Sequence, residues 1–197
     1  ITAVGDVTIG RNVQHSGASI YDKELKKQGG DLNFIFRNVK DIFESDDLTI
    51  VNFEGTLADE YSLPSKQKGN SYLFLAPYAY ASILPDNGVE AATVENNHVG
   101  DFGEAGKAST IAALEGAGVV WADAGHLGIY EAQGKRVGIL AYQTLNQPIT
   151  SAELKLVVDA DIRKAREESQ CDIVVVSFHW GEELDYAPRD NQVMLGR

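Results

Sequence analysis

Two rhythms alternate along the chain. Short apolar runs rich in Val, Ile, Phe and Ala end in polar or glycine-containing turns. Between them lie stretches whose apolar residues recur every three or four positions, on one helical face. Strands are predicted at "ITAVGD" (1–6), at Leu48–Phe53, at "VEAATVEN" (89–96), at "VVWADA" (119–124) and at the strongly apolar "DIVVVSFHWG" (172–181). "SYLFLAP" (71–77) predicts a shorter strand, and "GIYEAQGKRVGILAYQ" (128–143) a hairpin turning near Gln133-Gly134. Helices are predicted over "DLNFIFRNVKDIFESDD" (31–47), with Asp31 as its N-cap, over "EAGKASTIAALEGAG" (104–118), ending at Gly116 or Gly118, and over "DADIRKAREESQ" (159–170). "YAYASILPDNG" (78–88) predicts a short helix stopped by Pro85 and Gly88, and "RDNQVMLGR" (189–197) the first turns of another. Residues 56–70, with Pro64, Gly69 and Asn70, read as a loop, and "KELKK" (23–27) as a solvated basic stretch.

Strand and helix in alternation predict an α/β layered domain. No repeat, low-complexity tract or linker interrupts the pattern, so residues 1–197 are expected to form a single domain. Composition changes this picture little: 44% hydrophobic and 23% charged residues are ordinary for a globular protein. Charge changes it more. A net charge of −12 argues against nucleic acid or an anionic membrane surface as a general partner. It leaves room for a phosphate ligand held by metal ions, since a local cation overrides the mean field. The one cysteine, Cys171, precedes the last apolar run and reads as a buried structural thiol. The chain opens at Ile1 directly on a strand, which reads as a processed or trimmed segment.

The chemistry concentrates where the strands end. The first finishes in Gly5-Asp6, the second in Asn52, Glu54 and Gly55, and the third in Asn96, Asn97, His98 and Asp101. The last finishes in His179, Trp180, Gly181 and Glu183. Ligands of parallel sheets sit beyond the carboxyl ends of their strands, so these groups are expected to converge. Carboxylate, amide and imidazole together suit a borderline divalent metal such as Mn, Zn or Fe. Bland readings stand beside each residue. Asp6 is also a turn aspartate, Glu54 a solvated carboxylate and His98 a turn histidine bonded to backbone. Asp101 is either an orienter of His98 or the N-cap of the next helix. His179 is also a core histidine, and Trp180 either packing or a pocket wall. Arg11 is a surface arginine or a bidentate partner for phosphate or a substrate carboxylate.

"GDVTIGR", "NFEGTL", "NNHVGDFG" and "FHWGEE", in this order, resemble the CapA family of bacterial capsule and poly-γ-glutamate synthesis proteins, distant relatives of the calcineurin-like metallophosphoesterases. The resemblance covers nearly the whole chain and is most specific in NNHxxDxG and HWGxE. It implies a metallophosphoesterase-like α-β-β-α fold, a layered β-sandwich flanked by helices. It also implies Asp6, Glu54, Asn97 and His179 as metal ligands and His98, with Asp101, as the catalytic acid. Arg11, Trp180 and Glu183 would face substrate. Two departures stand out. Thr8 occupies the place of the superfamily's first histidine, and no closing Gly-His-x-His segment precedes Arg197, so the last strands of that fold are expected to be missing. The implied role is in capsule or poly-γ-glutamate synthesis or export at a bacterial cell surface or membrane anchor. Its partners would be an anionic polymer or a phosphate-containing small molecule, and membrane synthase subunits. A metal-dependent phosphoesterase with one or two metal ions is the first alternative. A metal-free ligand-binding module with a pocket rimmed by Trp180 and Tyr186 is the second.

Overall fold

A computed structural model describes residues 1–14, 19–62, 72–145 and 149–197. The chain packs as two compact units, the first comprising residues 1–94 and 98–121, the second residues 95–97 and 122–197. The fold is mixed α/β, with a parallel sheet flanked by helices.

In the first unit, β1 (Thr2–Val7), β3 (Thr49–Phe53), β6 (Ala91–Thr93) and β7 (Val120–Ala122) form a sheet in the order β1-β3-β6-β7. The pairs β1–β3 and β3–β6 are parallel. Every residue of β3 is buried, which explains its unbroken run of apolar and small polar residues. The core beneath it gathers Ile9, Phe36, Phe43, Val51, Phe53, Leu57, Ile83, Leu84 and Leu114. The helix α3 (Gly103–Gly116) covers this core with Ala113 and Leu114. A second, three-stranded sheet of the same unit runs β2 (Arg11–Asn12), β5 (Phe74–Ala76), β4 (Thr56–Leu57). Gly10 leads into β2 with φ +103°, and a Cβ there would lie 2.3 Å from the Leu75 carbonyl oxygen. Only glycine accommodates both constraints.

In the second unit, β8 (Gly128–Ala132) and β9 (Lys135–Gln143) form the expected hairpin, turning through Gln133 (φ 51°) and Gly134 (φ 71°). The strand β10 (Ile173–His179) pairs in parallel with β9. Leu140, Tyr142, Leu154, Val158 and Leu195 form the core of this unit. Cys171 is buried, and burial pushes its thiol up from its ordinary value, as expected of a structural cysteine.

Three expectations need correction. The helix predicted over 31–47 breaks into a 3₁₀ turn (Leu32–Ile35), with Asp31 as its N-cap, and a short α2 (Lys40–Phe43). Asn33 is bonded through its side chain to Asn87, and Val39 sits outside the helical region at φ −125°, so the two pieces do not fuse. The helix predicted to start at Asp159 is longer, as α4 (Ser151–Glu167), because Thr150 and Glu153 build a capping box. The "KELKK" stretch is solvated as expected, on a helix with no buried residue, α1 (Ile20–Lys27), started by the capping box Ser19–Asp22. Lastly, β10 stands at a sheet edge and is only half-buried, despite its apolar sequence. The predicted loop 56–70 begins with β4, and its Pro64, Gly69 and Asn70 lie outside the described residues. No helix among the described residues is long and apolar enough to cross a membrane.

Candidate functional site

The parallel register of the first sheet aligns Asp6, Asn52 and Thr93 side by side on β1, β3 and β6. A hydrogen-bonded row crosses the strands. The Thr93 hydroxyl donates to the Asn52 amide oxygen (3.3 Å), and the Asn52 amide nitrogen donates to Asp6 Oδ1 (2.7 Å). Asn52 and Thr93 are buried, so this row fixes the Asp6 carboxylate from behind. A register irregularity between Ala3 and Asp6 sets Asp6 against Asn52. Sequence reading noticed Asn52 only as a strand-end amide and missed Thr93; the shared register position was the available signal.

Glu54 follows β3 directly, and its backbone N–H donates to the Val7 carbonyl (3.0 Å). Burial raises the Glu54 carboxyl above its ordinary value, and the charge and hydrogen bond of Asp6 add to this, against an opposing pull from His98.

His98 faces this pair. Its Nδ1 lies 2.7 Å from Asp101 Oδ2, and its Nε2 lies 3.6 Å from Glu54 Oε1. An ionised carboxylate only accepts, so Nδ1 carries the hydrogen and Nε2 is left toward Glu54. Burial opposes charge on His98, but the Asp101 hydrogen bond and charge, with Glu54 and Asp6, outweigh it and raise its pKa. The ring is a proton donor held by an orienting carboxylate. Phe74 packs its ring against the imidazole at 4.8 Å between centroids, a wall that no motif announced. The N-cap of α3 is Phe102, not Asp101, whose side chain is committed to His98.

The remaining expected residues group differently. Asn97 and His179, both in the second unit, meet directly, with Nε2 donating to the Asn97 amide oxygen at 2.7 Å. Gln143 donates to Glu95 Oε1 (2.8 Å) and to the Asn96 carbonyl (3.1 Å), and Asn96 is fully buried. Trp180 stacks on Phe178 at 4.5 Å, the rings nearly parallel, and lines a cavity of about 280 Å³ with Tyr186 and Arg189. Glu183 is exposed outside that lining, while its neighbour Glu182 pairs with Arg189 (2.6 Å). Arg11 lines another cavity, in the first unit.

Among the described residues, no three His, Cys, Asp or Glu side chains form a metal-holding group. In the first unit, Asp6 and Glu54 are the carboxylate donors that lie together; the Asn52 amide oxygen is engaged by Thr93, and His98 Nδ1 by Asp101. This pair of carboxylates fits one anchoring edge of a divalent ion, about half of a four-ligand shell.

The fold and this strand-end cluster define an α/β protein with a histidine–carboxylate site beyond a parallel sheet. Comparison with known families narrows that class. The family described as "Bacterial capsule synthesis protein PGA_cap" matches residues 1–197, and the chain belongs to it. It is 28% identical over 216 residues to the capsule biosynthesis protein CapA of Bacillus anthracis, covering 100% of this chain and 50% of that protein. It is also 28% identical over 211 residues to the PGA biosynthesis protein CapA of Bacillus subtilis (strain 168), covering 98% of this chain and 52% of that one. The chain thus spans about half the length of these curated relatives. A crystal structure of a hypothetical protein from Thermus thermophilus superimposes with a TM-score of 0.43 at 16% identity, over 77% of this chain and 53% of that one, too distant to carry an argument.

Proposed function

We propose that the chain serves bacterial capsule polymer synthesis or export through a proton-transfer site at the ends of β1, β3 and β6, working at the cell surface beside membrane synthase subunits. The observation that carries this reading is the relay from Asp101 through His98 toward Glu54 and Asp6. A structural histidine in a turn needs one satisfied nitrogen. This one has an orienting carboxylate behind it and a carboxylate pair before it, which is the arrangement of a general acid. His98 would donate from Nε2 to the departing atom of an ester or amide linkage in the polymer or its precursor. Asp101 would hold the ring and stabilise its charged form.

Asp6 and Glu54 would anchor a divalent ion, Mn, Zn or Fe. That ion would supply Lewis acidity and a cationic bridge to an anionic polymer, which a chain of net charge −12 otherwise repels. Asn97 and His179 would serve as ligands within the second unit only after giving up their mutual hydrogen bond.

The test replaces His98 with Gln or Ala, and Asp101 with Asn, in the full-length protein of a capsule-forming host. Polymer amount and chain length are measured, together with Mn- or Zn-dependent hydrolysis of phosphomonoesters and diesters by the purified protein. Loss of polymer in the His98 variants at wild-type protein level supports the reading. Undiminished polymer of unchanged length in His98→Ala would overturn it. Loss of phosphate-ester hydrolysis alone would favour the phosphoesterase alternative. The metal-free binding alternative draws on the cavity between Trp180 and Tyr186, and it predicts polymer binding that survives EDTA.

A further inference from the structure

The first unit carries a second cavity, of about 300 Å³, that the relay does not use. Its lining includes Arg11, Tyr21, Tyr61 and Tyr80, with Asp22 and Asp59. Arg37, Arg136 and Arg189 each pair with a carboxylate. Arg11 makes no ion pair with any described residue, as is also true of Arg163, Arg166 and Arg197; what sets it apart is its place in the lining of this cavity. It is exposed on β2, opposite Leu75 of β5. A guanidinium left free in so acidic a protein is a ready bidentate donor.

The walls narrow the ligand class. Tyr21 and Tyr80 lie 6.2 Å apart between ring centroids, offering aromatic faces to carbon-rich surface. The Tyr21 hydroxyl is buried and has no hydrogen-bond partner among the described residues. Burial, with Tyr80 and Asp22, pushes its pKa up to about 12, so it remains a donor at neutral pH. A buried donor without a partner calls for one. The acids are partly spoken for. Asp22 Oδ2 accepts from the Ser19 N–H and hydroxyl (3.0 Å each), and Asp59 Oδ1 accepts from the Tyr78 N–H (3.0 Å). Their negative charge still borders the cavity, and it penalises a dianionic phosphate more than a monoanionic carboxylate.

We infer that this cavity binds one carboxylate-bearing unit of an anionic polymer, with Arg11 on the carboxylate, Tyr21 as hydroxyl donor and the tyrosine rings against the unit's carbon skeleton. The polymer's identity rests on the proposed function; the cavity's selectivity for carboxylate does not. The strand β5 serves both places. Phe74 packs on His98, and the next residue, Leu75, lines the Arg11 cavity. Successive side chains of a strand point to opposite faces, so this short segment walls both sites within one unit.

The test is calorimetric titration of the intact protein with a γ-linked glutamate trimer, a galacturonic acid trimer, a neutral galactose trimer and a phosphomonoester. One or both acidic trimers should bind, and which one does separates an amino-acid polymer from a uronic one. Arg11→Gln should weaken that binding about ten-fold or more, and Arg11→Lys by less, since charge persists without the planar fork. Tyr21→Phe should weaken it with the thermal midpoint unchanged or raised. His98→Gln should leave binding intact while polymer formation is lost, so failure here and failure of the relay reading are separable. Equal binding of the neutral trimer, tighter binding of the phosphomonoester, or Arg11→Gln binding like wild type would each overturn the inference.

Discussion

Asp101→Asn is the sharpest probe of the relay. The substitution keeps shape and leaves an amide oxygen for the Nδ1 hydrogen, but removes the charge 2.7 Å from His98. Both side chains are well shielded, at 15% and 13% exposure, so solvent screens the pair little. A hydrogen bond to a charged partner contributes about 1.5–3 kcal/mol. His98 should therefore titrate lower in the variant, with burial then less opposed. The sign of the stability effect follows from the raised value in the folded protein. The contribution is fully present below the ordinary histidine pKa of about 6.5 and fades as pH rises through the raised folded value. Wild type should exceed the variant by about 1.5–3 kcal/mol near pH 5.5, and the gap should narrow above neutrality. Proton NMR reads the titration directly, because the chain has only four histidines, and urea unfolding at several pH values reads the stability. Both are run in EDTA to exclude bound cations. An unchanged His98 titration, or a stability gap that does not vary with pH, would refute the relay.

Four further outcomes are expected. Gly10→Ala should cost roughly 3 kcal/mol or more by denaturant unfolding, because its φ of +103° and the Leu75 carbonyl both exclude a Cβ. Gly138→Ala should cost about 1–3 kcal/mol, since the new methyl meets Cys171 Sγ at 2.9 Å, and Cys171→Ala in the same chain should recover part of that loss. Thr150→Ala should lower stability by about 1 kcal/mol through loss of the α4 capping box. Manganese added to the intact protein should broaden the His98 NMR signals and raise the thermal midpoint, and both effects should vanish in Asp6→Asn.

Much of the fold was legible because burial and periodicity agree in the first sheet. The fully buried β3 has no polar face to confuse, and the turn at Gln133-Gly134 is marked by a glycine that tolerates positive φ. Reading failed where local chemistry competes with periodicity. The apolar stripe from Leu32 to Phe43 looks helical, yet Asn33 and Val39 divide it. The start of α4 was obscured by an apolar stripe that carries no mark of its N-terminus; Thr150 and Glu153 held the signal. At the site, Asp6, Glu54, His98 and Asp101 were legible as strand-end chemistry, and they do gather. The motif around His98 misled in one respect, because it reads as one corner. Asn97 bonds within the second unit, whereas His98 belongs to the first. Phe74 and Thr93 were invisible because an aromatic wall and a buried hydroxyl carry no sequence signature apart from their neighbours.

The brevity of β5 constrains how this protein can vary over generations. Three residues pair with β2 on one side and β4 on the other, leaving no slack in which to absorb an insertion. A shift of one position would exchange the faces of Phe74 and Leu75 together. The imidazole would lose its aromatic wall in the same step that the arginine cavity gained a phenyl ring. Point substitutions at 74 or 75 tune one place at a time, whereas length changes there disturb both at once. Relatives should therefore differ in the composition of this strand far more readily than in its length.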